Sequence, residues 1–279
     1  MTRAVAGSFA ALLAAGALAS CTPAPEGLPE GLTVGLVQYR LDYGPRRLQL
    51  EVSNDSGHEV RVTRLELRSP AFAEPVVSTR GQDVPDGSTR DLPVLLADPV
   101  CDPDAEPTAE VEVTALVDGR EAVGTVVPAD PLGWLARIHG DDCRADALAA
   151  SATFSVGPFR VDRTPERPVG YLTITGTTVA GGPAATVAGI DRTILFRPAD
   201  AQPGWAVDWT FDADHAEQSA ELALVPSNCN PHILAEDKRG TFWPLEVSPD
   251  GGDSGVVYLA SDDALRAELY AFFAEYCGF

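Results

Sequence analysis

The chain has 279 residues, 45% hydrophobic and 22% charged, with 20 Lys+Arg against 41 Asp+Glu and a formal net charge of −21. Those proportions exclude a disordered chain, which is poorer in apolar residues, and a collagen-like one. So negative a surface repels phosphate backbones, so no nucleic-acid partner is expected.

In chain order, Met1-Thr2-Arg3 is a short positive segment, and residues 4–19 form an Ala/Leu-rich stretch. A spanning helix needs roughly 20 apolar residues. This stretch is shorter and suits the core of a signal peptide. It ends in Leu18-Ala19-Ser20-Cys21, which resembles the lipobox of bacterial lipoproteins. That resemblance implies a signal peptide over 1–20, cleavage before Cys21 and a diacylglycerated Cys21 thiol. It places the protein on the extracytoplasmic side of the cell membrane, with the lipid bilayer as partner through the Cys21 anchor. Two or more acyl chains hold a protein stably where one does so only marginally. Residues 21–31 contain three prolines and no strand or helix pattern, and are expected to form an extended tether. The resemblance stops there; the rest of the chain resembles no family.

The remaining length accommodates two ordinary domains, and the sequence contains one pattern twice. Thr33-Val34-Gly35 matches Ser155-Val156-Gly157, and Leu50-Glu51-Val52 matches Leu172-Thr173-Ile174, both at an offset of 122. Cys101-Asp102-Pro103 matches Cys229-Asn230-Pro231 at 128. Val111-Glu112-Val113 matches Leu245-Glu246-Val247, and Cys143 matches Cys277, at 134. An offset that grows by a few residues is what loop insertions in a duplicated domain produce.

Each copy reads as strands followed by a helix. Leu48 to Val52 alternates apolar and polar, as a half-buried strand does, and turn residues close it at 53–57. Val60 to Leu67 repeats the alternation with a slip near Arg64 that suggests a bulge. Trp205, Val207, Trp209 and Phe211 occupy alternate positions and are expected to be core. Short strands separated by Pro85-Asp86-Gly87, Asp118-Gly119 and Pro249-Asp250-Gly251 indicate antiparallel sandwiches. Pro131 is expected to begin a short helix with Leu132, Leu135 and Ile138 on one face. Ser261 or Asp262 is expected to cap another carrying Leu265, Leu269, Phe272 and Tyr276. The fold class is therefore mainly β: two tandem immunoglobulin-like antiparallel β-sandwich domains, 32–147 and 148–279, each ending in a short α-helix.

Four cysteines other than Cys21 allow three pairings. The repeat selects Cys101–Cys143 and Cys229–Cys277, one bridge inside each copy, as an oxidising compartment permits. The wide spacing, without C-x-x-C, argues against zinc.

Candidate chemistry is sparse. Gly252-Asp253-Ser254-Gly255 resembles the nucleophile string of trypsin-like serine proteases. No histidine stands in that family's context, so the string is read as a turn opposite Asp118-Gly119 and no catalytic residue is assigned. Asp212-Ala213-Asp214-His215 is a loop where a cation could bind weakly at Asp212 and Asp214, yet nothing matches a metal-ligand spacing. No metal site or cofactor is assigned. The densest polar stretch is 228–240, which holds His232, Asp237, Lys238 (the only lysine) and Arg239. Its counterpart in the first copy is simpler; such divergence on a duplicated scaffold fits either a cysteine-stapled loop with its own salt bridges or a partner-binding loop. The functional expectation is a membrane-anchored binding or scaffold lipoprotein for a protein or cell-envelope partner. The alternative is a small-ligand or cation-binding carrier, or an accessory enzyme, that uses the loop 228–240.

Overall fold

The computed structural model describes residues 27–102 and 104–279. The signal peptide, the lipobox and Cys21 lie outside the described residues.

Alternating apolar positions draw each strand onto a core through one face. The first unit runs β1 (Leu32–Val37), β2 (Arg47–Asn54), β3 (Val60–Arg68), β4 (Val76–Ser78), β5 (Gln82–Val84), β6 (Ser88–Leu95), β7 (Glu110–Val117) and β8 (Arg120–Val126). Helix α1 (Trp134–Ser151) follows. One antiparallel sheet has the order β1-β2-β6; the other is β4-β3-β7-β8, with β5 also on β3. Leu36, Leu50, Val52 and Leu92 of the first sheet share a core with Val62, Leu65, Val111 and Val113 of the second.

The second unit runs β9 (Ala152–Asp162), β10 (Val169–Thr178), β11 (Ala185–Asp191), β12 (Phe196–Pro198), β13 (Gly204–Phe211) and β14 (Glu217–Pro226). It continues through α2 (Pro231–Ala235), β15 (Phe242–Pro249), β16 (Gly255–Ala260) and α3 (Asp263–Cys277). Its sheets are β12-β14-β10-β9 and β13-β11-β15-β16. Phe196, Trp243, Phe272 and Phe273 form the aromatic centre of its core; Phe196 stacks on Phe272 with ring centroids 6.3 Å apart. Trp209 and Phe211 are buried, while Trp205 and Val207 pack against the core from its edge.

The two units repeat each other down to strand register. Val34 faces Val52 across β1 and β2, and Val156 faces Ile174 across β9 and β10, both pairs displaced by 122. Leu65 faces Val113 on β3 and β7; Val187 faces Val247 on β11 and β15, at the sequence offsets of 122 and 134. The slip near Arg64 is a register shift between Val62 and Arg64. The β7–β8 hairpin turns at Asp118-Gly119, both at positive φ as a tight two-residue turn requires. Cys101 is bonded to Cys143 and Cys229 to Cys277, so each bridge ties a loop to the helix that ends its unit.

Helix α1 departs from expectation. It spans 18 residues and starts at Trp134, with Pro131 and Leu132 in the preceding turn and Leu132 72% exposed. The Asp130 carboxylate accepts from the amides of Trp134 (2.7 Å) and Leu135 (2.9 Å), and Gly133 at φ 63° lets the chain turn into the helix. Pro131 therefore precedes the helix instead of starting it. The helix also runs through the expected boundary at 147/148 and passes into β9 without a linker. Leu135 and Ile138 lie in the first core, and Leu148 lies in the second. In α3 the capping group is Asp262, whose side chain accepts from the Leu265 amide at 2.7 Å, while Ser261 receives the Trp243 indole N–H.

Candidate functional site: a cleft between the sandwiches

Two loops of unrelated sequence face each other across the junction. Residues 38–46, between β1 and β2, fold around Asp42, which is 2% exposed. Its Oδ2 accepts from the Tyr39 amide at 3.1 Å and from Gln49 Nε2 at 3.0 Å, and its Oδ1 lies 3.4 Å from Arg47 Nη1. A buried carboxylate so fully engaged fixes the loop, turning Arg40, Leu41 and Tyr43 toward the second unit.

The facing loop is the C-terminal part of the polar stretch. Asp237 Oδ1 accepts from the amides of Gly240 (2.6 Å) and Arg239 (3.3 Å), and Oδ2 accepts from the Tyr270 hydroxyl at 2.8 Å. Burial, reinforced by that carboxylate, pushes the Tyr270 hydroxyl up to about 12. A side chain on Gly240 would meet Leu195 and Asp237, so only glycine allows this close approach. Lys238 and Arg239 are presented by this turn.

Arg239 carries the contact across the junction. Its guanidinium carbon lies 3.9 Å from the centroid of Tyr258 on β16, and 4.9 Å from Tyr43 of the first unit. Arg137 of α1 donates Nη2 to the Tyr43 hydroxyl at 3.3 Å and stacks at 4.0 Å on Trp134. Nearby, Arg46 grips Asp142 of α1 through Nη2–Oδ2 (2.7 Å) and Nε–Oδ1 (3.2 Å). Burial pushes the Asp142 carboxyl above the usual carboxylate range, although Arg46 pulls the other way. Arg144 donates to the Asp253 carbonyl at 3.1 Å and closes the junction below the cleft.

The cleft consists of two adjoining lobes of about 530 and 410 Å³ that share Arg40, Tyr43, Lys238, Arg239, Phe242 and Tyr258. The second lobe adds Arg192, Ile194 and Ile233. Sequence reasoning singled out Asp237, Lys238 and Arg239, and all three line the second lobe. His232 does not; it is exposed on α2, where its amide is received by Asn230. Arg40, Tyr43, Arg137, Arg192 and Tyr258 were not singled out. The one local signal was an apolar and aromatic loop, Tyr39-Arg40-Leu41-Asp42-Tyr43, where turn residues are usual.

The other candidates lie elsewhere. Asp212 Oδ1 receives the Asp214 amide at 2.9 Å and lies 2.7 Å from His215 Nδ1, which holds the Asp212 carboxyl below its ordinary range. Among the described residues no three His, Cys, Asp or Glu side chains converge as a metal would require. Ser254 pairs its hydroxyl with that of Ser248 at 2.8 Å, in the β15–β16 turn.

No protein-family model and no curated protein matches the chain. Among solved structures, red sea bream transglutaminase is 14% identical over 84% of this chain and 31% of its own, at a TM-score of 0.23. The Amycolatopsis orientalis exo-chitosanase CsxA is 12% identical over 82% of this chain and 26% of its own, at 0.20. The calcium binding domain CBD12 of CALX1.1 is 11% identical over 82% and 87%, at 0.18. This chain thus spans about a third of the transglutaminase and a quarter of the exo-chitosanase. At such scores these likenesses carry no family and no activity.

Proposed function

We propose that the protein is a lipid-anchored, extracytoplasmic binding lipoprotein whose recognition element is the cleft between its two sandwiches. The observation that carries the reading is the pair of loops, 38–46 and 236–240, each shaped by a buried or half-buried aspartate and aimed at the same space. Rigid sandwiches that present loops at a domain junction are a common setting for recognition. The lipobox at Leu18 to Cys21 supports the anchor. Leu28 packs on the first core and the Gly31 carbonyl accepts from the Asp55 amide, so the tether that holds the acidic body off an anionic bilayer is shorter than 21–31 and ends before Leu28. The partner is a molecule of the cell envelope or a ligand passing through it.

The test uses the full chain in a bacterial host. Cys21→Ala is expected to release the protein from the membrane fraction, and mass spectrometry is expected to find lipid on the wild-type Cys21 peptide. A photo-crosslinking residue at Leu41 is expected to yield one dominant adduct that is lost in Lys238→Ala/Arg239→Ala. An unmodified Cys21 would remove the anchor from the reading; an adduct indifferent to the double substitution would remove the cleft.

A further inference from the structure

We infer that the cleft binds a small organic anion bearing two or more acid groups, carboxylate or phosphate, on an apolar or ring framework. This rests on reading the cleft as the recognition site and names what it recognises.

The first observation is a local reversal of charge. The chain carries −21. Yet six cations and four carboxylates line the two lobes. Three of the carboxylates are engaged: Asp141 with Arg144, Asp142 with Arg46, and Asp237 with Tyr270. Among the described residues, Arg40, Arg137, Arg192, Lys238 and Arg239 take part in no ion pair. An acidic protein with acidic partners to spare has left five cations around one cavity without one.

The second observation is how two of these cations are held. Arg239 lies over Tyr258 and beside Tyr43, while Arg137 lies over Trp134 and donates Nη2 to the Tyr43 hydroxyl at 3.3 Å. Stacking uses the face of a guanidinium, so the N–H edge of Arg239, and the part of the Arg137 edge not bonded to Tyr43, are left for carboxylate or phosphate. The two heads are thus placed before any ligand arrives, which lowers the entropy lost on binding. The cations come from four places in the chain: the loop 38–46, α1, the β11–β12 connection and the loop 236–240. Arg137 lines the first lobe, Arg192 the second and the other three both, so a ligand with a single acid group meets only part of the set.

The third observation sets size and framework. Leu41 (65% exposed), Ile194 (57%) and Tyr258 (46%) stand on the walls of the lobes. Lobes of about 530 and 410 Å³ fall in the range of small-molecule sites. An extended polyanion would leave the cleft and run over a surface of its own sign, which repels it.

The experiment is isothermal titration of the full chain with benzene-1,3,5-tricarboxylate and, separately, with pyrophosphate. At least one is expected to bind saturably at one site in the micromolar range, more weakly as salt is raised. The probe that binds more tightly tells carboxylate from phosphate. Arg40→Ala/Arg192→Ala/Lys238→Ala removes three side chains that make no hydrogen bond or ion pair within the described residues, so the fold survives it. It is expected to weaken binding at least tenfold, and Arg239→Ala to weaken it similarly. Absence of saturable binding by both probes, or binding unchanged in the triple variant, overturns the inference. If that happens while the Leu41 adduct still depends on Lys238 and Arg239, the anion assignment falls and the recognition cleft stands.

Discussion

Asp42 and Asp237 do the same work in loops that share no sequence. Each takes a short chain segment that would otherwise wander and satisfies its amides or its neighbours from one carboxylate. Asp237 also reaches α3 through Tyr270, so the loop that carries Lys238 and Arg239 is coupled to a phenol held neutral up to about 12. The sign of the linkage follows. Below pH 10 both folded and unfolded chains keep the proton, and stability is unaffected by it. Between the ordinary value of 10.0 and about 12, the unfolded chain ionises while the folded chain does not, so stability falls as pH rises. Urea unfolding across that interval is expected to show the fall in wild type and a shallower one in Tyr270→Phe.

Among the elements, the cystines and helix α1 carry the most consequence. The bonds close segments with sequence separations of 42 and 48, each fastening a loop to the helix that ends its sandwich. In the chain-entropy account, cross-links of that size stabilise by about 4 kcal/mol each, nearly equally because the dependence on length is logarithmic. Replacing Cys229 and Cys277 by serine is expected to lower the unfolding free energy by about that amount, as read from the urea midpoint. Replacing Cys101 and Cys143 should do much the same. The pairings were legible beforehand because the repeat put each cysteine at a matching place in its copy. The start of α1 was not legible, because Pro131 is a common first helical residue. Here a side-chain acceptor one residue earlier, Asp130, satisfies the opening amides and lets the helix begin at Trp134.

Across the whole molecule, α1 joins what the sequence suggested were separable units. Its N-terminal turns are buried in the first core and Leu148 is buried, 2% exposed, in the second. A helix embedded at both ends transmits the loss of either core to the other. Leu148→Ala is expected to cost about 2–5 kcal/mol, as deletions of buried leucine do. Hydrogen exchange is expected to quicken in β1 and β2 as well as in β9 and β10; a change confined to the second sandwich would separate the two units. That same junction brings Tyr43 and Arg137 together with Arg239 and Tyr258.

The sequence by itself determined the elements whose cause is local or repeated. Alternating apolar residues made the strands, Asp-Gly and Pro-Asp-Gly punctuated them, and a duplicated pattern paired the cysteines. It also marked 228–240 as unusual, through one loop rich in both signs of charge. What only the tertiary structure decided was the company that loop keeps. Arg40, Arg137 and Arg192 are ordinary surface arginines in the sequence, far apart along the chain and without a spacing that links them. They become one site because α1 fixes the second sandwich against the first, and because three of the four carboxylates that line the cleft are already engaged. Convergence of this kind depends on the angle between two cores, which no local pattern encodes.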